Sequence, residues 1–218
     1  MTDLLIVAGA GAHGDPWHVL DDTAAALAEV LRPLGEVRVV STGELAGLPA
    51  SPAPDLVVCD ISGPPEGTGG GDPVLERLLA WHAGGAPVLA VHSAVLAFRD
   101  DDRWFALLGA RWREGVSGHP PLGPADVRST GDSAAGIRLA GFRTIDERYS
   151  DLELADADGD RVVLAEHVEQ GRQHPLIWWR AAGGAPVAVS LLGHDARAYA
   201  SADYADALRR LAAGLLRG

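Results

Sequence analysis

The sequence predicts an α/β fold organised around a mostly parallel sheet. Three observations carry that expectation: near-continuous aliphatic runs at 4–8, 56–60 and 87–91, amphipathic helical stretches between them, and a second half of short strand-like runs. Aliphatic runs without polar alternation mark strands buried on both faces, which parallel sheets covered by helices provide.

The elements follow in order. LLIVA (4–8) ends in glycines, and Asp15-Pro16 reads as a cap and first helical position for VLDDTAAALAEVLRPLG, with Leu20, Ala24, Leu27 and Leu31 on one face. VRVVS (37–41) and LVVCD (56–60) are further strands, joined by a Pro/Gly/Ser-rich connector. Asp72-Pro73 caps VLERLLAWHA, which stops at Gly84-Gly85, and PVLAV (87–91) follows. In the second half ARWRE, ADVRS, FRTIDE, LELA, RVVLAEH, PLIWWRA and PVAVS read as short strands, expected as antiparallel additions at one end of the same sheet. SADYADALRRLAAGLL supplies a last helix with Tyr204, Leu208, Leu211 and Leu215 on one stripe. The glycine-rich GPPEGTGGG (63–71) reads either as a flap over a site or as a tolerated loop.

Composition limits function. The 218 residues, 47% hydrophobic and 22% charged, suit one core and hence one domain over 1–218. A formal charge of -12, with 18 basic residues that are all arginine and nowhere clustered, argues against nucleic acid and anionic membranes as partners. The single Cys59 cannot form an internal disulfide, and no leader-like segment precedes the first strand, so a cytoplasmic location is expected. No apolar stretch approaches the roughly 18 residues of a membrane helix.

In parallel sheets ligands bind beyond the carboxyl ends of the strands. The first such end, GAGAHG, matches G-x-G-x-x-G through Gly9, Gly11 and Gly14, but the second strand ends in Ser41-Thr42 instead of the acidic residue a dinucleotide ribose needs. The preferred reading is a glycine turn offering backbone amides and His13 to a smaller anion or hydroxylated ligand. The fourth end is AVHSA. A sharp strand-to-helix elbow exposes its apex residue and tolerates only small residues two positions away, and Ala90 and Ala94 satisfy this with His92 as apex. Centred on Ser93 the flanks are Val91 and Val95, too large for serine hydrolysis through that residue.

His119 in GVSGHPPLG, Glu147 and Tyr149 in IDERYSD, and His194 after VAVSLLGH stand in turn-like settings. His82, His167 and His174 read as structural or exposed, and Cys59 as a buried small hydrophobe. Trp178-Trp179 on one strand point to opposite faces, one for the core and one for a partner surface or a sugar-sized cleft.

The order of VLAVHSA, RWFALLGARW, GHPP, FRTIDERY, VVLAE, PLIWWR and VSLLGH with a closing amphipathic helix resembles the ThuA-like (trehalose utilisation) family, related to class I glutamine amidotransferases. The resemblance implies a flavodoxin-like three-layer sandwich whose elbow lacks the amidotransferase cysteine and carries His92 there. It also implies His92, His119, Glu147 and His194 as catalytic residues, with the glycine-rich first loop around Gly11 and His13 alongside; Ser93 and Tyr149, next to His92 and Glu147 in the sequence, are further candidates for contacting the substrate. A link to trehalose or related glycosides, including their oxidised keto forms, comes with it; the AFRDDDRW segment departs from the family pattern and leaves the pocket rim open.

Two functions compete. The first is an enzyme acting on a trehalose-related or keto sugar, with Glu147 as base and His92 or His194 as acid or electrophile. In a variant of it His92, His119, His194 and Glu147 converge on a divalent metal such as zinc or manganese. The second is a non-catalytic carbohydrate-binding or regulatory module. Glutamine amidotransferase activity is excluded because Cys59 sits mid-strand. The last helix and the Trp-rich strand are the expected surfaces of a homodimer.

Overall fold

The structure, a computed structural model, describes residues 2–45, 47–49, 51–63, 71–155, 160–181 and 184–218. The glycine-rich segment singled out above lies, apart from Gly63 and Gly71, outside the described residues.

The first half alternates as expected: β1 (Asp3–Ala8), α1 (Leu20–Leu31), β2 (Glu36–Ser41), a short α2 (Thr42–Leu45), β3 (Leu56–Asp60), α3 (Pro73–Ala83) and β4 (Val88–Val91). Next come α4 (Asp102–Leu108), β5 (Ala110–Arg111), β6 (Gly123–Ser129), β7 (Phe142–Asp146), β8 (Glu153–Leu154), β9 (Arg161–Glu169), β10 (Arg172–Arg180), β11 (Val187–Ser190), α5 (Ala196–Tyr199) and α6 (Ala202–Leu215).

Among the described residues, nine strands form one sheet in the order β2-β1-β3-β4-β11-β10-β9-β6-β7. The first five are parallel and the rest antiparallel, so the second half does extend the same sheet. The order 2-1-3-4 followed by β11 in the fifth place is flavodoxin-like. Right-handed crossovers in opposite directions from the centre place α1 and α3 on opposite faces, giving three layers. The buried patterns of β3, β4 and β11 follow from covering both faces, whereas the edge strand β2 is half-exposed.

Two local expectations fail. Asp15-Pro16 does not open α1, which begins at Leu20 with Val19 at its N-cap and no side-chain cap; the Asp15 carboxylate is committed elsewhere, as described below. Trp178 and Trp179 are both core: Trp178 donates its indole N–H to the Leu108 carbonyl at 2.9 Å, and Trp179 lies under Gly214 of α6. The stripe Tyr204, Leu208, Leu211 and Leu215 is likewise buried within the chain. Truncating Leu208 or Leu211 to alanine opens a core cavity at a cost of about 2–5 kcal/mol. Asp72, by contrast, caps α3 as predicted, its carboxylate accepting from the N–H of Val74 and Leu75.

Candidate active site

The carboxyl ends of β1, β4 and β11 each deliver one histidine to a common point. After β4 the chain turns at His92, whose φ of 43° puts a non-glycine residue in the left-handed region. Such backbone strain persists where the surroundings over-determine it. The small flanks make the turn feasible: Ala90 and Ala94 are wholly buried. His92 Nδ1–H donates to the Leu191 carbonyl at 2.9 Å, leaving the Nε2 lone pair free to face the crevice. Burial, with His18 and then His194 and His119 nearby, holds the imidazole pKa well below its usual range, so His92 is neutral.

After β1 the helix is delayed because Asp15 makes an Asx-type turn. Its Oδ1 accepts from the backbone N–H of Trp17 (2.8 Å) and His18 (2.9 Å), and its Oδ2 accepts from His18 Nδ1 (2.6 Å) and from the Ser62 hydroxyl. Burial works against ionisation of this carboxyl, but the hydrogen bonds from His18 and Ser62 prevail and hold its pKa at about 2. His18 is thereby fixed with Nδ1 protonated and Nε2 bare. His18 did not figure among the sequence-derived candidates. An Asp-x-x-His spacing directly after the strand-1 glycines is the signal that points to it.

After β11 the chain is pinned to the end of β7 by Asp146. This buried carboxylate accepts from the N–H of Gly193 (2.7 Å), His194 (3.1 Å) and Glu147 (2.9 Å). Burial raises its pKa to about 7 against those three donors. One side chain thus sets the backbone of both Glu147 and His194. Glu147 Oε2 lies 3.2 Å from His194 Nδ1 and 4.0 Å from His92 Nε2, and its carboxylate raises the His194 pKa despite partial burial. The buried His194 Nδ1 nevertheless makes no aligned hydrogen bond.

Donor atoms of His18, His92, His194 and Glu147 all lie within 4.8 Å of one another. The Tyr149 hydroxyl completes the group, 2.9 Å from His92 Nε2 and 3.4 Å from His18 Nε2; burial, then the charge of Glu147, keeps it protonated. With one proton it can donate to only one of the two imidazole lone pairs at a time.

Of the expected catalytic residues, the structure brings His92, Glu147 and His194 together. His119 stands at the rim, exposed, with Nδ1 3.5 Å from Glu147 Oε1. In the metal-ligand set His18 takes the place expected for His119. Tyr149 lines the pocket, but three other substrate candidates do not. Ser93 is buried and donates to the Ile61 carbonyl at 3.0 Å. His13 turns away toward Asp72 (3.4 Å) and the Phe98 ring. Gly11 belongs to an open surface beside α1, and the amides of Gly9, Ala10, His13 and Gly14 are spent on Asp60, Thr42, Ala10 and Gly11 within the protein. Four amides of the glycine turn are thus spent on holding the turn itself.

The pocket above the cluster holds about 500 Å³ and is walled by Trp17, Leu96, Trp112, His119, Glu147 and Tyr149, among others. Cys59 is buried in β3, with its thiol pKa pushed up by burial and by Asp60, as its position in an aliphatic run implied. Among the described residues, no helix is long and apolar enough to cross a membrane.

A family model described as trehalose utilisation (ThuA) matches residues 70–212. Among solved structures, a ThuA-like protein of Parabacteroides merdae superposes with a TM-score of 0.74 at 19% identity, over 96% of this chain and 87% of that one. A cytoplasmic protein of Salmonella typhimurium LT2 gives 0.63 at 12% identity, over 96% and 98%. A β-galactosidase of Bacillus circulans gives 0.60 at 13% identity, with this chain corresponding to 31% of that enzyme. No curated protein matches the chain by sequence. These likenesses share the flavodoxin-like architecture, and the family match spans well over half the chain: the protein belongs to the ThuA, trehalose utilisation, family.

Proposed function

We propose that the protein is a sugar-metabolism enzyme acting on a trehalose-related or oxidised (keto) sugar, with His18, His92, His194 and Glu147 holding a divalent cation such as zinc. Family membership supports the sugar-related role. The convergence of three imidazoles and a carboxylate supports the cation, because both His18 and His92 spend Nδ1–H on a fixed acceptor and direct Nε2 at the same point. Tying the second nitrogen in this way fixes tautomer and ring orientation in metal-binding histidines, and this donor set suits zinc. Such an ion supplies Lewis acidity toward a carbonyl or hydroxyl oxygen.

The chain's own groups divide the remaining work. Tyr149, protonated and buried, donates a hydrogen bond to a sugar oxygen placed beside the imidazoles. With Glu147 committed to the cation, the proton shuttle passes to His119, exposed at the rim and able to exchange with solvent. Removal of a proton next to a carbonyl and its return to the neighbouring carbon or oxygen isomerises a keto sugar; the same removal becomes an elimination when the β C–O bond breaks and the departing oxygen takes up a proton, which His119 can supply.

Metal analysis of protein purified without an affinity tag is expected to find about one divalent ion per chain. In parallel, NMR of keto-trehalose incubated with the protein is expected to show turnover that chelation stops and zinc restores. Turnover by metal-free protein at an undiminished rate contradicts the cation; saturable binding with no turnover supports the non-catalytic module instead.

A further inference from the structure

The pocket has two indole walls that the histidine cluster does not employ. Trp17, at 60%, is the most exposed large hydrophobic residue among those described. Its backbone is nevertheless held in place, since the main-chain N–H groups of Trp17 and His18 share Asp15 Oδ1. Leaving an indole in water forfeits the burial that most tryptophans obtain, and at a pocket mouth such a residue waits for a ligand. Trp112, half-buried, stands edge-on to the Tyr149 ring at 5.1 Å, and its backbone N–H donates to the Val95 carbonyl at 3.0 Å. Both indoles line the cavity that also holds His119 and Glu147.

Flat apolar faces beside imidazole and carboxylate edges match one kind of small molecule well. A pyranose ring presents axial C–H groups as an apolar face and hydroxyls around its equator, so it stacks on an indole while its rim hydrogen-bonds. An open-chain polyol has the hydroxyls without a preformed apolar face.

We propose that Trp17 and Trp112 form a platform that admits sugars in their cyclic form and discriminates against open-chain ones. This rests on the reading of the pocket as a sugar site and adds which form of sugar it takes and which residues choose it. The platform implies that any ring opening follows binding.

The test is saturation-transfer NMR and calorimetry with trehalose, methyl α-glucopyranoside and sorbitol on the wild type, Trp17→Ala and Trp17→Phe, with a zinc titration of each protein. The two cyclic sugars should bind, with saturation concentrated on the C–H protons of one ring face, and sorbitol should bind about tenfold or more weakly. Trp17→Ala should weaken cyclic-sugar binding about tenfold while Trp17→Phe retains most of it, with zinc affinity unchanged in both. Equal binding of sorbitol and trehalose, no effect of Trp17→Ala, or no sugar binding at all overturns the platform. Loss of zinc binding in the wild type with sugar binding intact overturns the metal reading and leaves the platform standing.

Discussion

Tyr149 touches two groups of histidines, His18 and His92 with its hydroxyl and His167 with its backbone carbonyl. Both groups are buried, and in both the rings lie about as close: 4.9 Å between centroids for His18 and His92, 5.3 Å for His167 and His174. They differ in where the second nitrogens go. His18 and His92 give their Nδ1 protons to Asp15 and Leu191 and aim bare Nε2 atoms at a point that His194 and Glu147 also reach. His167 and His174 instead serve the chain beside Tyr149: His167 Nε2 donates to the Tyr149 carbonyl, and His174 Nδ1 accepts from the Asp151 N–H. The nearby Asp151 carboxylate is paired with Arg172, and among the described residues no third ligand joins this pair. Proximity of imidazoles does not make a metal site; convergence of lone pairs held by fixed acceptors does. The second group is a strut that holds the Tyr149 backbone so that its hydroxyl meets the first.

That contrast is open to breaking, beginning with the largest effect. Asp146→Ala leaves one buried and two partly buried N–H groups without an acceptor and releases both Glu147 and His194. Urea unfolding should show a loss of about 3 kcal/mol or more, and zinc titration should show binding abolished with it. Asp15→Asn keeps the shape but removes the charge that orients His18, so zinc affinity should fall about 10–100-fold, whereas Asp151→Asn, its counterpart at the strut, should leave it unchanged. Equal losses from the two would erase the distinction.

The smallest effect is on acid stability. Burial holds the His167 pKa below its ordinary 6.5, so the folded imidazole stays neutral where the unfolded one takes up a proton. Its contribution is therefore complete above that value and is lost as pH falls through the window down to the folded pKa, by up to about 1.4 kcal/mol per pH unit. His167→Gln, which keeps a donor for the Tyr149 carbonyl, should flatten that part of the acid limb in urea unfolding followed from pH 7 to pH 5. An unchanged slope would show that His167 is not held neutral.

The fold was legible because its signal is local. Aliphatic runs separated by amphipathic stretches predict β1, β3, β4 and the helices between them, and Ala90 and Ala94 suffice to mark His92 as the elbow apex. Much of the site was legible for the same reason, since His92, Glu147 and His194 each follow a strand. His18 was hidden by Asp15-Pro16, a dipeptide that suits a helix start equally well. Choosing between cap and Asx turn depends on Ser62 and on the pocket, which lie far away in sequence. The use of the GAGAHG amides was equally illegible, because a turn that offers amides to an anion and one that spends Gly9 and Ala10 N–H on Asp60 and Thr42 have the same sequence. Trp17 and Trp112 escaped notice because nothing local shows that their indoles line one cavity, while Trp178-Trp179 drew attention by being adjacent.

The most direct test is an anomalous difference map at the zinc edge from crystals of the protein soaked in a slight excess of zinc. A single strong peak bounded by His18 Nε2, His92 Nε2, His194 Nδ1 and Glu147 Oε2, with none at His167 and His174, is the predicted result. No peak among the first four residues, or an equal one at the strut, would contradict it.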